Sequence, residues 1–166
     1  MKASLQFSIM GSMIFFASCQ KEVSPILVND NVAANGIEAV SSRITGGDWK
    51  FTSVVLEYDN GEKDEGELDE CKSDDLYRYA SNGDATVVHG AIPCFTTDPA
   101  DGKFASWELI KNGIELKEVY TRDLLGETAG SVVVYKVEFI SDHKLTISRV
   151  ITEPGKKFTE FNTYTR

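Results

Sequence analysis

A dense group of carboxylates is the most unusual chemical feature of the sequence. Residues 57–75 contain ten aspartates and glutamates against two lysines. Carboxylate oxygens are the ligands that Ca²⁺ prefers, and a surface of this charge can also attract a basic protein partner. The segment lacks the Asp-x-Asp-x-Asp register of an EF-hand, so a solvated acidic loop is the main prediction. The weak calcium candidates within it are Asp69, Glu70, Asp74 and Asp75.

Signs of enzyme chemistry are sparse elsewhere in the chain. His89 and His143 are the only two histidines, and neither has a nucleophile or a second metal ligand near it in the sequence. Residues 126–130 imitate a nucleophile elbow with threonine in place of serine, but they lie where a turn between two strands is predicted. The sequence contains no HExxH, Walker A or GxGxxG motif. We therefore predict no enzymatic activity, no catalytic residue, no cofactor and no resident metal.

A lipid attachment site is indicated near the start of the chain. Lys2 precedes an uncharged, mostly apolar run over residues 5–17, which has the length of a secretory signal peptide rather than of a membrane span. The run ends in Phe16-Ala17-Ser18-Cys19, which resembles the lipobox of bacterial lipoproteins and implies acylation of Cys19. An ordinary signal peptide is the alternative. Gln20-Lys21-Glu22 resembles a short signal for export to the cell surface, so we expect an outer-membrane lipid anchor, on the periplasmic face or at the surface.

Cys71 and Cys94 remain as a pair once Cys19 is assigned to lipid. An exported protein meets an oxidising compartment, which favours a disulfide between them. Such a bond closes a ring of about 24 residues, for which loop-closure entropy gives a stabilisation of about 3.4 kcal/mol. A metal-binding or redox-active pair is the alternative, although the two cysteines lack CxxC spacing.

The overall charge excludes some classes of partner. The 166 residues include 17 basic and 26 acidic side chains, for a net charge of −9. Residues 1–18 hold one lysine and no acid, so their removal makes the net charge −10. A phosphate backbone attracts clustered Lys and Arg, so no nucleic acid binding is expected. Attraction to anionic lipid is not expected either, and the lipid on Cys19 is the predicted contact with the membrane.

Alternation of apolar and polar residues predicts an all-β domain. From Asp48 onward, aromatic and β-branched residues recur at every second position, as in strands with one buried face. Asn-Gly pairs at 60–61, 82–83 and 112–113 supply turns between the runs. Short successive connections favour antiparallel neighbours, and a small eight-stranded up-and-down barrel removes both exposed edges; a sandwich is the alternative. The eight predicted strands are residues 48–58, 76–79, 85–87, 105–109, 114–116, 133–139, 144–148 and 158–165.

The same pattern divides the chain into three parts. Residues 1–18 are the predicted lipoprotein signal peptide, and residues 19–45 are a predicted flexible tether with turn residues such as Asn35-Gly36. A short helix over residues 37–42 is an option, but so few residues do not hold a helix in isolation. Residues 46–166 form the predicted barrel domain, which we expect to be a monomer.

Several motifs of this domain resemble the bacterial lipocalin-like domain of secreted lipoproteins. Gly47-Asp48-Trp49 is similar to the G-x-W opening of lipocalins. The resemblance covers about residues 44–166 and implies a small eight-stranded barrel on a lipidated tether. The other motifs that carry it are, in order, Cys71-Lys72-Ser73-Asp74-Asp75, Tyr77, Tyr79, Asn82-Gly83, Cys94, and Trp107-x-Leu109 before Asn112-Gly113.

The resemblance also implies a closed end of the barrel. In lipocalins the opening Trp packs at that end, commonly beneath a cation from the last strand. Trp49, preceded by Gly47, is the match by motif, and Arg166 is the candidate cation. A guanidinium over an indole contributes about 0.5–2 kcal/mol. Fraying of Arg166 at the end of the last strand is the alternative.

Two functions fit such a domain. The first is a lipid-anchored binding module that takes a small apolar ligand in its mouth, because eight strands can enclose one small molecule. The alternative is a protein-interaction or inhibitor module that uses the open-end loops and the acidic residues 57–75. An interior filled by side chains, without a pocket, is the competing interpretation of the aromatic residues. The candidate ligand-lining residues are Tyr77, Tyr79, Trp107, Tyr135 and Phe139.

Overall fold

The computed structural model describes residues 26–27, 36–94 and 101–166. The predicted signal peptide, Cys19 and much of the predicted tether lie outside these residues. No helix within the described part of the chain is long and apolar enough to cross a bilayer. The strands are β1 (Ile26–Leu27), β2 (Asp48–Tyr58), β3 (Lys63–Gly66), β4 (Leu76–Tyr79), β5 (Asp84–Val88), β6 (Gly102–Ile110), β7 (Glu115–Tyr120), β8 (Val132–Ile140), β9 (Lys144–Glu153) and β10 (Lys156–Thr165); the α-helices are α1 (Gly36–Ile44) and α2 (Glu70–Ser73), with a 3₁₀ turn at Lys111–Gly113.

Eight of these strands close into an antiparallel barrel. The hydrogen-bonded order is β2-β4-β5-β6-β7-β8-β9-β10, and β10 pairs with β2 to complete the ring. Apart from that closing pair, neighbours in the ring follow the order of the chain, as in an up-and-down barrel. The eight strands coincide with the eight predicted from alternation. The predicted barrel is therefore confirmed, and the sandwich alternative is wrong.

Two short strands outside the ring are absent from the prediction. β1 pairs with β8, and β3 pairs with the second half of β2, while β4 pairs with its first half. β3 lies inside the predicted acidic loop, so the loop prediction is wrong for Lys63–Gly66. Its exposed charges suit an edge strand because they discourage pairing with another chain. The same charges explain why alternation gave no signal for a strand there.

Helix α1 belongs to the barrel and not to a flexible tether. Val40 and Ile44 are fully buried in the same core as the barrel strands. The Trp49 indole N–H donates to the Ile44 carbonyl at 2.8 Å, which ties the end of the helix to the first barrel strand. Nine residues are too few for a stable isolated helix, so these tertiary contacts supply its stability. The tether prediction is therefore wrong for Gly36–Ile44.

The two ends of the barrel carry different elements. The closed end holds α1, the start of β2 and the β8–β9 turn. The open end holds the β2–β3 hairpin, residues 67–75 between β3 and β4, and residues 121–131 between β7 and β8. Apolar side chains fill the interior toward the closed end, and polar side chains enter it toward the open end. The apolar group includes Val40, Ile44, Trp49, Leu116, Ile140 and Leu145.

Candidate functional site

Four of the five predicted lining residues lie buried inside the barrel. Tyr79 and Trp107 pack edge to face with ring centroids 5.6 Å apart, and Tyr77 packs in the same way on Tyr164 at 5.9 Å. Rings packed on one another in this way fill the core instead of bordering free space. Of the four, only Tyr135 lines the cavity at the open end. The competing interpretation of a filled interior therefore holds for Tyr77, Tyr79 and Trp107.

Phe139 is the fifth predicted lining residue, and that prediction is wrong. Its ring is partly exposed, with the Lys144 ammonium 5.8 Å from the ring centroid. The β8–β9 register shifts between Val137 and Phe139. A β-bulge of this kind moves the following side chains to the opposite face of the strand, so Ile140 is buried and Phe139 is not.

A partly enclosed cavity of about 140 Å³ lies inside the open end of the barrel. Strands β2, β8, β9 and β10 supply its wall, and residues 67–75 and 121–131 cover it. A cavity of about 150 Å³ holds benzene, so this volume suits a ligand of roughly six non-hydrogen atoms. The polar residues of the lining are Glu67, Lys72, Arg149, Glu160 and Asn162.

Arg149 is the charged centre of this cavity. It projects from β9 with a side chain that is 20% exposed. Its Nε donates to Glu160 at 3.0 Å and its Nη1 donates to Glu127 at 2.5 Å. The guanidinium carbon lies 5.7 Å from the centroid of the Tyr135 ring. Two carboxylates and one aromatic ring therefore surround a single guanidinium, which has the planar fork suited to binding carboxylates.

The two segments that cover the cavity are anchored differently. Residues 67–75 contribute Leu68 to the lining, and the disulfide Cys71–Cys94 ties them to the chain that follows β5. The predicted disulfide is thereby confirmed, and the metal-binding alternative for these cysteines is wrong. Residues 121–131 contribute Leu125 to the lining and Glu127 to the ion pair with Arg149. One cover is held by a covalent bond. The other is held by an ion pair, by apolar contacts and, at its first two residues, by hydrogen bonds to carbonyls of β6.

Two of the calcium candidates bind protein groups and reinforce the covalent anchor. Asp74 accepts the Ile92 N–H at 2.9 Å, and the buried Asp75 accepts the Gly90 N–H at 2.9 Å. Asp75 also lies 3.1 Å from the Nδ1 atom of His89. These carboxylates fasten residues 67–75 to the same stretch of chain that the disulfide reaches. They satisfy backbone donors, a common role of Asp in loops.

The remaining candidates from the sequence are dispersed over the surface. Asp69 forms an ion pair with Lys72 at 2.7 Å, and Glu70 is exposed at the start of α2. His143 is in the β8–β9 turn at the closed end, far along the barrel from the cavity. Within residues 26–27, 36–94 and 101–166, no group of three or more His, Cys, Asp or Glu side chains is arranged to hold a metal ion.

A buried carboxyl group inside the barrel was not predicted. Glu118 is 2% exposed, and its two oxygens accept hydrogen bonds from the hydroxyls of Tyr79 at 2.7 Å and Tyr120 at 2.9 Å. Burial raises the pKa of Glu118, and the two phenol hydrogen bonds oppose that rise. Burial, followed by the charge of Glu118, also raises the pKa of Tyr79. We call these three side chains the tyrosine–glutamate cluster.

The closed end has the geometry that the resemblance implies. The Arg166 guanidinium carbon lies 4.4 Å from the centroid of the fully buried Trp49 indole. Arg166 also donates to the backbone carbonyls of Arg43, at 3.1 Å, and Asp142. A Cβ on Gly47 would lie 3.3 Å from Arg166 Nη1, so glycine leaves room for the guanidinium. Arg166 is thus held by several partners instead of fraying.

The polar residues of the interior share a sequence signal that strand prediction ignores. Arg149, Glu160 and Asn162 occupy inward positions of β9 and β10, and Glu118 follows the buried Leu116 by two residues. A charged or amide side chain at an inward position of an otherwise apolar alternation is costly unless it is paired. Such positions therefore indicate a polar interior.

Comparison with models of known protein families gave no match, and comparison with characterised proteins gave no significant match either. The resemblance to lipocalin-like lipoproteins therefore stays a prediction. The function is inferred from the cavity, its charges and the segments that cover it.

Proposed function

We propose that the protein is a lipid-anchored, lipocalin-like barrel that binds one small molecule in the cavity at its open end. The observation that carries this proposal is the cavity of about 140 Å³ inside a closed eight-stranded barrel. Barrels of this size are filled by side chains or hold one small ligand. Here the side chains fill the closed end and leave space at the other. A partly enclosed space with a few converging polar groups is the usual form of a ligand site.

The lining favours a ligand that is smaller and more polar than the apolar molecule predicted from the sequence. Sites for drug-sized ligands usually exceed about 300 Å³, twice the volume available here. Phe51, Tyr135 and Tyr164 offer aromatic surface, and Arg149 offers a charged group beside it. A molecule with a short apolar body and one polar group matches both parts of the lining.

Binding in the cavity is tested by NMR titration of the complete chain with n-butanol, a neutral probe of cavity size. We expect shifts of the backbone amides of Val54, Tyr135 and Asn162, which line the cavity. The substitution Val54→Phe fills the space and should abolish these shifts. The control Val150→Phe adds the same bulk at a position that is 62% exposed, and it should preserve them. Equal responses in both variants, or no response in the wild type, would contradict binding in this cavity.

The lipid anchor is supported by the order of charged start, apolar run, small residues and Cys19. It is tested by growing a bacterial host that expresses the chain with a clickable fatty acid. We expect the wild type to be labelled and Cys19→Ser to be unlabelled. The double variant Cys71→Ser/Cys94→Ser should keep the label because these cysteines form the disulfide. Label that survives Cys19→Ser would disprove acylation at this cysteine.

A protein-interaction function is the second candidate, and the charge of the β2–β3 hairpin favours it. Asp59, Glu62, Asp64 and Glu65 are exposed there, and none of them forms an ion pair within the described residues. A basic partner attracted to such a surface binds less tightly as salt rises. We expect a stoichiometric protein to co-purify from envelope extract at low salt. Its retention by a variant with these four acids replaced by amides would rule out the hairpin as the binding surface.

A further inference from the structure

The two carboxylates on Arg149 are held by different parts of the fold. Glu160 lies directly opposite Arg149 in the β9–β10 pairing, so the barrel wall fixes it in place. Glu127 belongs to residues 121–131, outside the barrel strands, and it reaches Arg149 from the cover of the cavity. The side chains of Glu160 and Glu127 are similarly buried, at 17% and 19% exposure. One carboxylate is therefore a permanent partner, and the other is delivered by a loop.

The loop that carries Glu127 is organised as a unit. Leu124 and Glu127 exchange two backbone hydrogen bonds of 2.9 and 3.0 Å, and Asp123 accepts the Ala129 N–H at 2.8 Å. These bonds lie within the loop, so they persist if the loop moves as a whole. Its contacts with the cavity are the Leu125 side chain and the Glu127 carboxylate. Residues 121 and 122 are fixed to β6 by hydrogen bonds to its carbonyls, and residues 130 and 131 are bonded to the end of β7. Movement of residues 123–129 between these fixed points would open the mouth without breaking a strand of the barrel.

The charge on Arg149 limits what can replace Glu127. A half-buried guanidinium that loses one partner leaves unsatisfied donors, and that loss is costly. A carboxylate supplied by a ligand would accept the same Nη1 hydrogen bond and restore the same local charge. Lys72, the other basic residue of the lining, has a side chain that is 37% exposed, against 20% for Arg149, so water satisfies its ammonium more readily. Arg149 is therefore the group that selects the ligand.

We propose that the cavity binds a small carboxylate, which displaces Glu127 from Arg149 and moves residues 123–129 away from the mouth. The inference rests on the proposed binding function and adds the class of ligand and the movement that admits it. The ligand carboxylate accepts hydrogen bonds from Arg149, and its short alkyl or aromatic body contacts Tyr135 and Tyr164. Without a ligand, the Glu127 carboxylate thus takes the place on Arg149 that the ligand carboxylate would occupy.

The test compares three four-carbon probes with different polar groups: sodium butyrate, n-butanol and n-butylammonium chloride. Each is titrated into the complete chain and followed by amide NMR shifts. We expect butyrate to bind about tenfold more tightly than either other probe, because it alone carries a negative charge that pairs with the Arg149 guanidinium. Butyrate alone should also shift the amides of residues 123–129.

The substitution Glu127→Gln removes the competing charge and keeps the size of the side chain. It should strengthen butyrate binding about tenfold and leave n-butanol binding unchanged. The control Glu108→Gln removes a carboxylate paired with a lysine on the outer surface, and neither affinity should change. If Glu127→Gln does not fold, the preference among the three probes in the wild type still decides the question.

The outcomes separate this inference from the proposed function. Equal or tighter binding of n-butanol or n-butylammonium in the cavity would contradict the proposal that the ligand is a carboxylate. It would leave the proposed binding function intact. Unchanged butyrate affinity in a folded Glu127→Gln variant would overturn the displacement. Absence of shifts at the cavity amides with all three probes would overturn both proposals.

Discussion

The closed end of the barrel is sealed by apolar contacts, and the open end is occupied by charges. Val40 and Ile44 of α1 pack with Trp49 where β2 begins, and all three are fully buried. At the other end Arg149 is shared between Glu127 and Glu160, and a cavity remains beside them. Apolar burial contributes directly to stability, whereas a half-buried ion pair must first offset its desolvation. The closed end is therefore the stable part of the fold, and the open end is the part adapted for binding.

Individual strands show the same difference between an apolar closed end and a polar open end. In β9 the inward positions change from Leu145 and Ile147 to Arg149, and in β7 they change from Leu116 to Glu118. A strand can thus serve the core at one end and a site at the other without a change in backbone geometry, because alternate residues share a face. Ligand-binding segments tend to lie in the less stable parts of a protein, because a segment that must move to admit a ligand cannot be tightly packed.

The largest effect we expect is from removing the closed-end indole. Trp49→Ala leaves a void beneath α1 and removes the hydrogen bond to Ile44, so it should lower the free energy of unfolding by about 3–5 kcal/mol. Urea denaturation measures this change. Phe139→Ala is the control, because this aromatic ring lies partly exposed outside the barrel and its loss should cost much less. An unchanged midpoint for Trp49→Ala would show that the closed end does not depend on this residue.

Loss of the disulfide should affect mainly the open end. The double variant Cys71→Ser/Cys94→Ser should lower the free energy of unfolding by about 3 kcal/mol, because its unfolded chain is less constrained. Hydrogen exchange should accelerate in residues 67–75, which the bond anchors. The amides of Leu145 and Ile147, near the closed end, should remain the most protected. Uniform acceleration in both regions would contradict a difference in stability between the two ends.

A smaller effect should follow from removing the cation over the indole. Arg166→Met keeps an unbranched apolar stem but loses the guanidinium over Trp49, so we expect a loss of about 1 kcal/mol of stability. Arg78→Met is the control at the same end, since Arg78 bonds Asp48 on the exposed surface, and it should cost less. If the two variants lose equal stability in urea denaturation, stacking on Trp49 contributes nothing beyond an ordinary surface ion pair.

Alternation predicted the barrel well because a strand with one buried face repeats every two residues. Alternation does not predict the elements whose position depends on packing or hydrogen bonding more than on the local sequence pattern. Helix α1 depends on the burial of Val40 and Ile44 against the barrel, and β3 has no apolar residue to reveal it. The bulge before Phe139 reverses the face on which later residues lie, and nothing in a simple repeat marks it.

The site was harder to predict than the fold. The disulfide followed from the number of cysteines, and Trp49 followed from a motif. The cavity depends on how side chains from four strands and two loops fill a common volume, which no local spacing reports. Arg149 and Glu118 give no local signal of a site, because alternation normally places charged side chains on the solvent face of a strand. Their inward positions, in register with buried neighbours, indicate a polar interior instead.

The tyrosine–glutamate cluster gives the smallest expected effect and tests whether the polar interior reduces stability. Because burial raises the folded-state pKa of Glu118, folding favours its protonated form. The stability that this proton supplies is complete below the unfolded pKa and is lost as pH rises through the folded pKa.

Glu118→Gln cannot ionise, so the stability of the wild type relative to this variant should decline from pH 4 upward and then level off. Denaturant unfolding of both proteins at several pH values measures the difference. A difference that is constant with pH would mean that the hydroxyls of Tyr79 and Tyr120 fully compensate the burial of the carboxylate.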